Sequence, residues 1–181
     1  MASEKSFVDA LTNILIKNKV VNPKEASAYH EQSGQTDYES FEDFLLSEGL
    51  VEKEHLLNAL SRYYQFPAVD VQGIFFDSEL LRNFPKQFLL QNKCIPWEID
   101  GEMLVMIAAV PNEPTLEAAI NRFTDEKVEF NVGYARDIID AVQEYYDKAV
   151  SEVPEDADLD DEREEMDEFD RKGELGGEDR E

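Results

Sequence analysis

The stretch FEDFLLSEGLVEKEHLLNAL, residues 41–60, predicts two short helices joined at residues 49–51. Its apolar residues recur at the three- and four-residue spacing of one helix face: Phe41, Phe44 and Leu45 in the first helix, and Leu56, Leu57 and Leu60 in the second. Ser40 is a residue type that caps helix N-termini. Gly49 suits the left-handed position that ends many helices. The stretch therefore predicts a helical hairpin.

A similar pattern occurs thirty residues earlier, in LTNILIKNKVVNPKEASAYH from Leu11. The shift superimposes Leu11 on Phe41, Ile14 on Phe44, Leu15 on Leu45 and Val20-Val21 on Leu50-Val51. Asn22, Pro23 and Glu25 have the order of an N-cap, a first-turn proline and a capping acid. The match weakens beyond this point, since His30 meets Leu60. We interpret the two stretches as a degenerate duplicated helical hairpin. Four unrelated amphipathic helices in chance register are the alternative.

After residue 64 the apolar pattern changes. FPAVDV, residues 66–71, predicts a short strand, and Asp77 is placed to cap a helix that Pro85 interrupts. CIPWEI and EMLVMIAA flank Asp100-Gly101, a dipeptide that favours a type I′ hairpin turn. That turn would place Trp97 opposite Leu104, and Ile95 opposite Met106, on the same side. If Trp97 is buried there, it reports on the stability of this half of the chain; an exposed Trp97 would be an interface residue.

The remaining pattern predicts a helix after Pro114-Thr115, the strand KVEFNV and a last helix with Ile138, Val142 and Tyr145 on one face. The predicted fold class is α+β. A helical subdomain, residues 1–64, precedes a βαββαβ-like α/β sandwich with a C-terminal helix, residues 65–150.

Charge is the most unusual property of the composition, at −25 for 181 residues. Residues 151–181 contain 16 acidic and 4 basic residues, a net charge of −12. Such a segment predicts a disordered acidic tail or linker. A surface this negative repels phosphate groups, so we expect neither nucleic acid nor an anionic membrane as a partner. No apolar run is long enough for membrane insertion.

Residues that carry chemistry are few. The sequence has no glycine-rich phosphate-binding motif. His30 and His55 lack a second metal ligand at a characteristic spacing, so we expect both on helix surfaces or at a helix–helix seam. Cys94, the single cysteine, is expected to be a small buried hydrophobe in a reducing cytoplasm. We predict no catalytic residue, metal, ligand or cofactor site, and therefore not an enzyme.

The tail contains an imperfect calcium-loop pattern. Asp156, Asp158 and Asp160 match the first ligands of such a loop, but Asp161 stands where the sharp turn needs glycine, and Asp167 where a glutamate binds through two oxygens. A solvated acidic linker is the preferred interpretation. Outside the tail, Phe75 and Phe76 follow Gly73 in a loop, and they are the candidate residues of an exposed interface.

Several segments share their order with a known family: HLLNAL, FPAVDV, ELLRNFPKQF, CIPWEIDGEMLVMIAAVPNEP and LEAAINRFTDEKVEFNVGYARDIIDAVQEYY. Together they resemble the N-terminal domain of the assembly ATPases of type II secretion and type IV pilus systems, over residues 7–150. The resemblance implies a non-catalytic adaptor or regulatory domain that connects a hexameric ATPase to its inner-membrane platform. Its ATPase core is expected in the same chain beyond Glu181.

Some family members bind cyclic di-GMP through the duplicated helices, using an Arg-Leu-Gly start, a glycine in the turn and a final glutamine. Here Ala10-Leu11-Thr12 begins the first copy, Lys19 replaces the glycine of its turn, and Tyr63 stands where the second copy would have glutamine. Only the apolar scaffold of the motif remains, so we do not expect cyclic di-GMP to bind. The alternatives are a stand-alone cyclic di-GMP sensor and an acidic module that binds a basic protein.

Overall fold

The fold passes from an all-helical first part to a mixed second part. A computed structural model describes residues 2–151, which form eight helices and three strands. In chain order these are α1 (Ala2–Lys17), α2 (Pro23–Ser33), α3 (Phe41–Ser47), α4 (Lys53–Tyr64), α5 (Ser78–Arg82), α6 (Lys86–Asn92), β1 (Cys94–Asp100), β2 (Met103–Ala108), α7 (Leu116–Ile120), β3 (Lys127–Val132) and α8 (Ala135–Ser151).

The duplicated hairpin is confirmed, because α1 and α3 end in the same way. Lys19 has φ +61° and Gly49 has φ +65°. At each end two backbone hydrogen bonds close the helix: Lys19 N–H to Ile16 O and Val20 N–H to Leu15 O in the first copy, and Gly49 N–H to Leu46 O and Leu50 N–H to Leu45 O in the second. This pair of bonds is the Schellman motif. It recurs thirty residues apart, although only one copy has glycine.

The predicted helix starts are also confirmed. Asn22 Oδ1 accepts from the backbone N–H of Glu25 at 2.9 Å, and the Glu25 carboxylate accepts from Asn22 N–H at 3.1 Å, which completes a capping box. Ser40 Oγ caps α3 by accepting from Asp43 N–H. The Asp77 carboxylate caps α5. Each cap stabilises a helix terminus by about 1 kcal/mol.

The first hydrophobic cluster joins the inner faces of α1 to α4. Positions related by the repeat are buried in both copies, as in the pairs Leu11 and Phe41, Leu15 and Leu45, Val21 and Val51, and Ala26 and Leu56. Val132 and Tyr134, which come from the second part of the chain, also belong to this cluster. The helical hairpins therefore pack against the end of the sheet.

The second cluster lies around the sheet, whose order is β1-β2-β3. β1 and β2 are antiparallel, and β2 and β3 are parallel. The buried residues of this cluster come from β1, from β2 and from the helices and loops that pack on the sheet: Val71, Leu80, Leu81, Phe84, Leu89, Cys94, Ile95, Leu104, Met106, Ile107, Ala108, Leu116, Ile120, Ile138 and Val142. The α+β fold class is confirmed.

The first predicted strand is wrong as a strand. Only Ala68 of FPAVDV pairs, in an isolated parallel bridge to Val132. Val69 N–H donates to Val132 O at 2.9 Å, and Val132 N–H donates to Pro67 O at 2.8 Å. Pro67 has no N–H to extend the ladder. A turn stabilised by the Asp70 carboxylate follows at once, so the segment adds no fourth strand.

The hairpin turn differs from the predicted type. Asp100 pairs with Met103, so the two loop residues are Gly101 and Glu102 rather than Asp100 and Gly101. Gly101 has φ +63°, whereas Glu102 has a negative φ. A positive φ at the first loop position alone is the pattern of a type II′ turn, which also matches the strand twist.

This shift changes the register of β1 against β2. A bulge between Pro96 and Glu98 leaves Trp97 without a directly opposite partner, and Trp97 is partly buried rather than buried. The observed pairs are Cys94 with Ala108, Ile95 with Ile107, Pro96 with Met106, Glu98 with Val105 and Ile99 with Leu104. The predicted pairs of Trp97 with Leu104 and Ile95 with Met106 are therefore wrong.

Residues 1–146 form one compact unit, and both clusters lie within it. The predicted division at residue 64 stays a prediction. Residues 152–181 lie outside the described part of the chain. They contain all but the first residue of the predicted disordered tail, together with its calcium-loop pattern. Within residues 2–151, no helix combines the length and the apolar character needed to cross a membrane.

Candidate functional site

The two phenylalanines predicted as an interface have different environments. Phe75 is 99% exposed, whereas Phe76 is partly buried and packs against the second hydrophobic cluster. They lie in the loop between the Ala68 bridge and α5. Their role as an interface stays a prediction, and only Phe75 presents its ring to solvent.

A groove of about 560 Å³ lies between α1 and α2. Its polar lining includes Asp9, Thr12 and His30, and its apolar lining includes Ile16, Pro23 and Ala26. His30 Nε2 lies 3.0 Å from Thr12 Oγ1, and His30 Nδ1 lies 3.5 Å from Asp9 Oδ1. A hydroxyl, an imidazole and a carboxylate in this order are the elements of a nucleophilic triad.

Thr12 is instead held within the helical pair by hydrogen bonds, and it is 7% exposed. Its hydroxyl donates to Val8 O at 2.7 Å, the bond that threonine often makes one helical turn back. The contact between Thr12 and His30 therefore links one helix to the next. His30 joins α1 to α2, so its predicted place at a helix–helix seam is confirmed.

The other two residues considered for chemistry, His55 and Cys94, have surroundings that do not favour catalysis. His55 is exposed on α4, with Nδ1 3.9 Å from Glu52 Oε2 one turn away. Cys94 is buried in the second cluster, where burial raises the pKa of its thiol to about 12. A protonated buried thiol is a poor nucleophile. Within residues 2–151, no group of three or more His, Cys, Asp or Glu side chains could hold a metal ion.

Comparison with known proteins now identifies the second part of the chain. Residues 64–152 match the MshEN domain family. We call this matched part of the chain the MshEN segment. No curated protein matches the chain.

Solved structures extend the likeness beyond the MshEN segment. A structure of MshE with cdg has a TM-score of 0.58 and 20% identity, and the match covers 75% of this chain and 98% of that one. The N-terminal domain of XpsE has a TM-score of 0.51 and 16% identity, covering 75% and 92%. Each match covers 75% of this chain, which is more than residues 64–181 alone could supply. The shared fold therefore includes part of the helical hairpins. The predicted resemblance is confirmed.

The altered motif positions of the helical hairpins can now be located. Thr12 is buried in the α1–α2 seam by its bonds to Val8 and His30. Lys19 is exposed in the left-handed turn after α1. Tyr63 is partly buried, and its ring packs edge-on against the Phe7 ring, with the two ring centroids 4.9 Å apart. Of the four substituted positions, Ala10, Thr12, Lys19 and Tyr63, two therefore have side chains with packing or hydrogen-bonding roles inside the fold, those of Thr12 and Tyr63.

Polar contacts that the sequence did not predict lie where the helical hairpins meet the MshEN segment. The Tyr134 hydroxyl donates to the Asp43 carboxylate, which is 7% exposed. Lys53 Nζ lies 2.6 Å from Asp137 Oδ2, and Gln72 Nε2 donates to Asp137 Oδ1 at 3.1 Å. Burial, followed by the bond to Asp43, raises the pKa of Tyr134.

The sequence contains no clear signal for these contacts. Asp43 and Asp137 both lie in the first turn of a helix, where an acid is expected to stabilise the exposed terminus. Nothing in the local pattern distinguishes an exposed first-turn acid from one that another part of the chain covers. The contacts make the helical hairpins and the start of α8 a single joined structure.

Proposed function

We propose that this chain is a non-catalytic regulatory N-terminal domain of a type II secretion or type IV pilus assembly ATPase. It acts in the cytoplasm and docks the motor to its inner-membrane platform. The observation that carries the proposal is the MshEN match over residues 64–152, with the fold of MshE and the XpsE N-terminal domain. The partners are then an ATPase core and platform proteins.

The contacts between the two parts of the chain support an adaptor role. A domain that transmits position between a motor and a platform must resist bending between its contact surfaces. The Asp43–Tyr134 and Lys53–Asp137 contacts, together with the shared cluster that includes Val132, oppose such bending.

Binding to the platform is tested directly by calorimetry. The chain is titrated with the purified cytoplasmic domain of each platform protein from the same organism, at about 150 mM salt. We expect saturable binding to one of them, with a dissociation constant of about 10 μM or lower. The cytoplasmic domain of the matching protein from another assembly system is the control. Absence of binding to every platform domain would contradict the docking role.

A cyclic di-GMP sensor is the second candidate, because the similar MshE structure contains cdg, the abbreviation of that nucleotide. The substituted positions argue against it. Arginine can both pair with phosphate and stack on guanine, and Ala10 offers neither interaction. Thr12 is already hydrogen-bonded within the seam, and Tyr63 packs on Phe7. A charge-assisted hydrogen bond such as one from the arginine contributes about 1.5–3 kcal/mol. Loss of the arginine, the glycine and the glutamine together is expected to weaken a micromolar site to about millimolar or beyond.

Titration of labelled cyclic di-GMP into the chain at physiological salt tests this second candidate. We expect no saturation below about 1 mM. Lys17 and Lys19 are the remaining cations near the turn, so Lys19→Ala is the informative variant and Lys24→Ala, on the exposed side of α2, is its control. Saturable low-micromolar binding that Lys19→Ala abolishes and Lys24→Ala retains would replace the docking proposal with a sensor.

A further inference from the structure

Phe75 is the most exposed large hydrophobic side chain in residues 4–149, for which side-chain burial is described. The others, Tyr38, Ile99 and Val110, are 37%, 50% and 43% exposed. A single exposed apolar residue is common on protein surfaces. A phenylalanine with almost its entire ring in water is uncommon, because any apolar contact that removes the ring from water lowers its free energy.

The backbone around Phe75 holds the ring in this position. Ile74 and Phe76, its two neighbours, are partly buried against the second hydrophobic cluster. The side chain between them, that of Phe75, is 99% exposed and therefore faces away from the core. On one side, Ile74 N–H donates to the O of buried Val71 at 3.3 Å. On the other, Asp77 caps α5. The ring is presented by a constrained segment, which lowers the entropy cost of inserting it into a partner.

The charge around Phe75 selects the kind of partner. Residues 70–79 contain Asp70, Asp77 and Glu79 and no basic residue. Asp70 has Lys53 Nζ at 4.0 Å, while Glu79 is exposed beside the loop. An acidic border opposes contact with a second copy of this chain, whose net charge is −25, and with an anionic bilayer. It favours a protein surface with basic residues around an apolar pocket.

We propose that Phe75 is the anchor of a docking surface and inserts into an apolar pocket bordered by lysine or arginine side chains on a partner protein. This inference rests on the proposed function, in which the partner is the cytoplasmic domain of a platform protein. Asp77 and Glu79 meet the basic border of the pocket. Phe76 contributes only by supporting the loop, because its ring already packs against the core.

The test uses the full chain and the platform domain that binds it. Phe75→Ala is expected to lower the affinity by about 30-fold or more, as truncation of an interface anchor does. Val110→Ala, another exposed apolar residue, is the matched control and is expected to change it by less than about 3-fold. Glu79→Lys is expected to lower the affinity, and the loss is expected to shrink as salt is raised. Because the Phe75 ring is in water, Phe75→Ala leaves the unfolding midpoint unchanged.

A photo-crosslinking amino acid in place of Phe75 identifies what the ring contacts. We expect crosslinks to a segment of the platform domain that contains apolar residues next to lysine or arginine. Crosslinks to a second copy of the chain, or binding of the chain to vesicles with anionic lipids that Phe75→Ala abolishes, would overturn the inference. Wild-type binding that Phe75→Ala leaves unchanged would overturn it and leave the docking function intact. Absence of any wild-type binding would overturn both.

Discussion

Lys53 Nζ lies 2.6 Å from Asp137 Oδ2, although 84 residues separate them in the chain. The pair connects the start of α4 in the second helical hairpin to the start of α8 in the MshEN segment. Asp137 is 6% exposed, and its other carboxylate oxygen accepts from Gln72. A charge this deeply buried needs a partner, so the contact couples the positions of the two helices.

Removal of the cation from this pair is expected to destabilise the fold. Lys53→Met retains the aliphatic volume, and Asp137 then keeps its hydrogen bond from Gln72 but loses its cation. We expect the free energy of unfolding to fall by about 1–3 kcal/mol, measured by urea denaturation. Lys24→Met, on exposed α2, is the control and should remain within about 0.5 kcal/mol of wild type.

A double-mutant cycle with Asp137→Asn separates the pair from its surroundings. We expect the double variant to be less destabilised than the sum of the two single variants. Additive effects, or a Lys53→Met loss no larger than that of Lys24→Met, would show that the contact does not couple α4 to α8.

The two helix ends of the repeat predict opposite effects of substitution. Lys19 adopts φ +61° with a side chain, which costs about 1–2 kcal/mol relative to glycine. Lys19→Gly removes this cost but increases the entropy of the unfolded chain. We expect a net gain of about 0.5–1 kcal/mol in the free energy of unfolding. Gly49→Ala is expected to lose about 1 kcal/mol, since its Cβ meets no atom within 4 Å and only the backbone is strained.

Gly34→Ala is the matched control for these changes, because Gly34 has φ −72° and a Cβ there would lie 3.8 Å from the nearest atom. It should be neutral or gain about 0.5 kcal/mol. If Lys19→Gly destabilised the fold by as much as Gly49→Ala does, the Lys19 side chain would make contacts that outweigh the backbone strain.

Glu42 predicts a pH-dependent effect. Burial, and next the neighbouring Asp43 carboxylate, raise its pKa above the ordinary value near 4.5. The folded state then binds this proton more tightly than the unfolded state, so stability is lost as pH rises through the raised pKa. Glu42→Gln removes that loss. We expect the variant to be more stable than wild type at pH 7, and the difference to disappear as pH falls below about 4.5.

Thermal unfolding at a series of pH values measures this difference. Glu31→Gln, an exposed carboxylate on α2, is the control for removing one negative charge from a chain of net charge −25. A Glu42→Gln variant that is less stable than wild type at pH 7 would indicate that the ionised carboxylate is stabilised by its neighbours rather than penalised by burial.

Substitution of Trp97 is expected to lower the free energy of unfolding by less than substitution of a fully buried tryptophan would. Trp97 sits at the β-bulge and is partly exposed, so part of its surface remains in water in the folded state. We expect Trp97→Ala to cost about 1–3 kcal/mol, below the range of about 3–5 kcal/mol for a fully buried ring. Ile95→Ala, two residues earlier and fully buried, should cost about 2–5 kcal/mol. Urea denaturation measures both losses. Unfolding of the Ile95→Ala variant is monitored by tryptophan fluorescence, and unfolding of the Trp97→Ala variant, which lacks tryptophan, by circular dichroism. A larger loss for Trp97 than for Ile95 would show that the bulge depends on the indole ring.

The sequence by itself determined the features whose causes are local. The caps at Asn22, Ser40 and Asp77 involve partners two or three residues away, and the repeated helix ends involve bonds over three to five residues. The apolar periodicity likewise placed Leu11, Leu45 and Ile138 in the core, because one helix face repeats within a few residues. The order of the segments along the chain, which is also a property of the sequence alone, was sufficient to indicate the family.

Only the tertiary structure decided the features whose partners lie far along the chain. The register of the hairpin depended on a bulge at Trp97, and the first predicted strand became a bridge because its neighbour is Val132. Phe75 and Phe76 are alike in sequence, and they differ because one side of the loop faces a core built from distant elements. Asp43 and Asp137 are first-turn acids by local pattern, yet they are buried by Tyr134 and Lys53, 91 and 84 residues away. Burial depends on what the rest of the chain covers, and no local pattern records that.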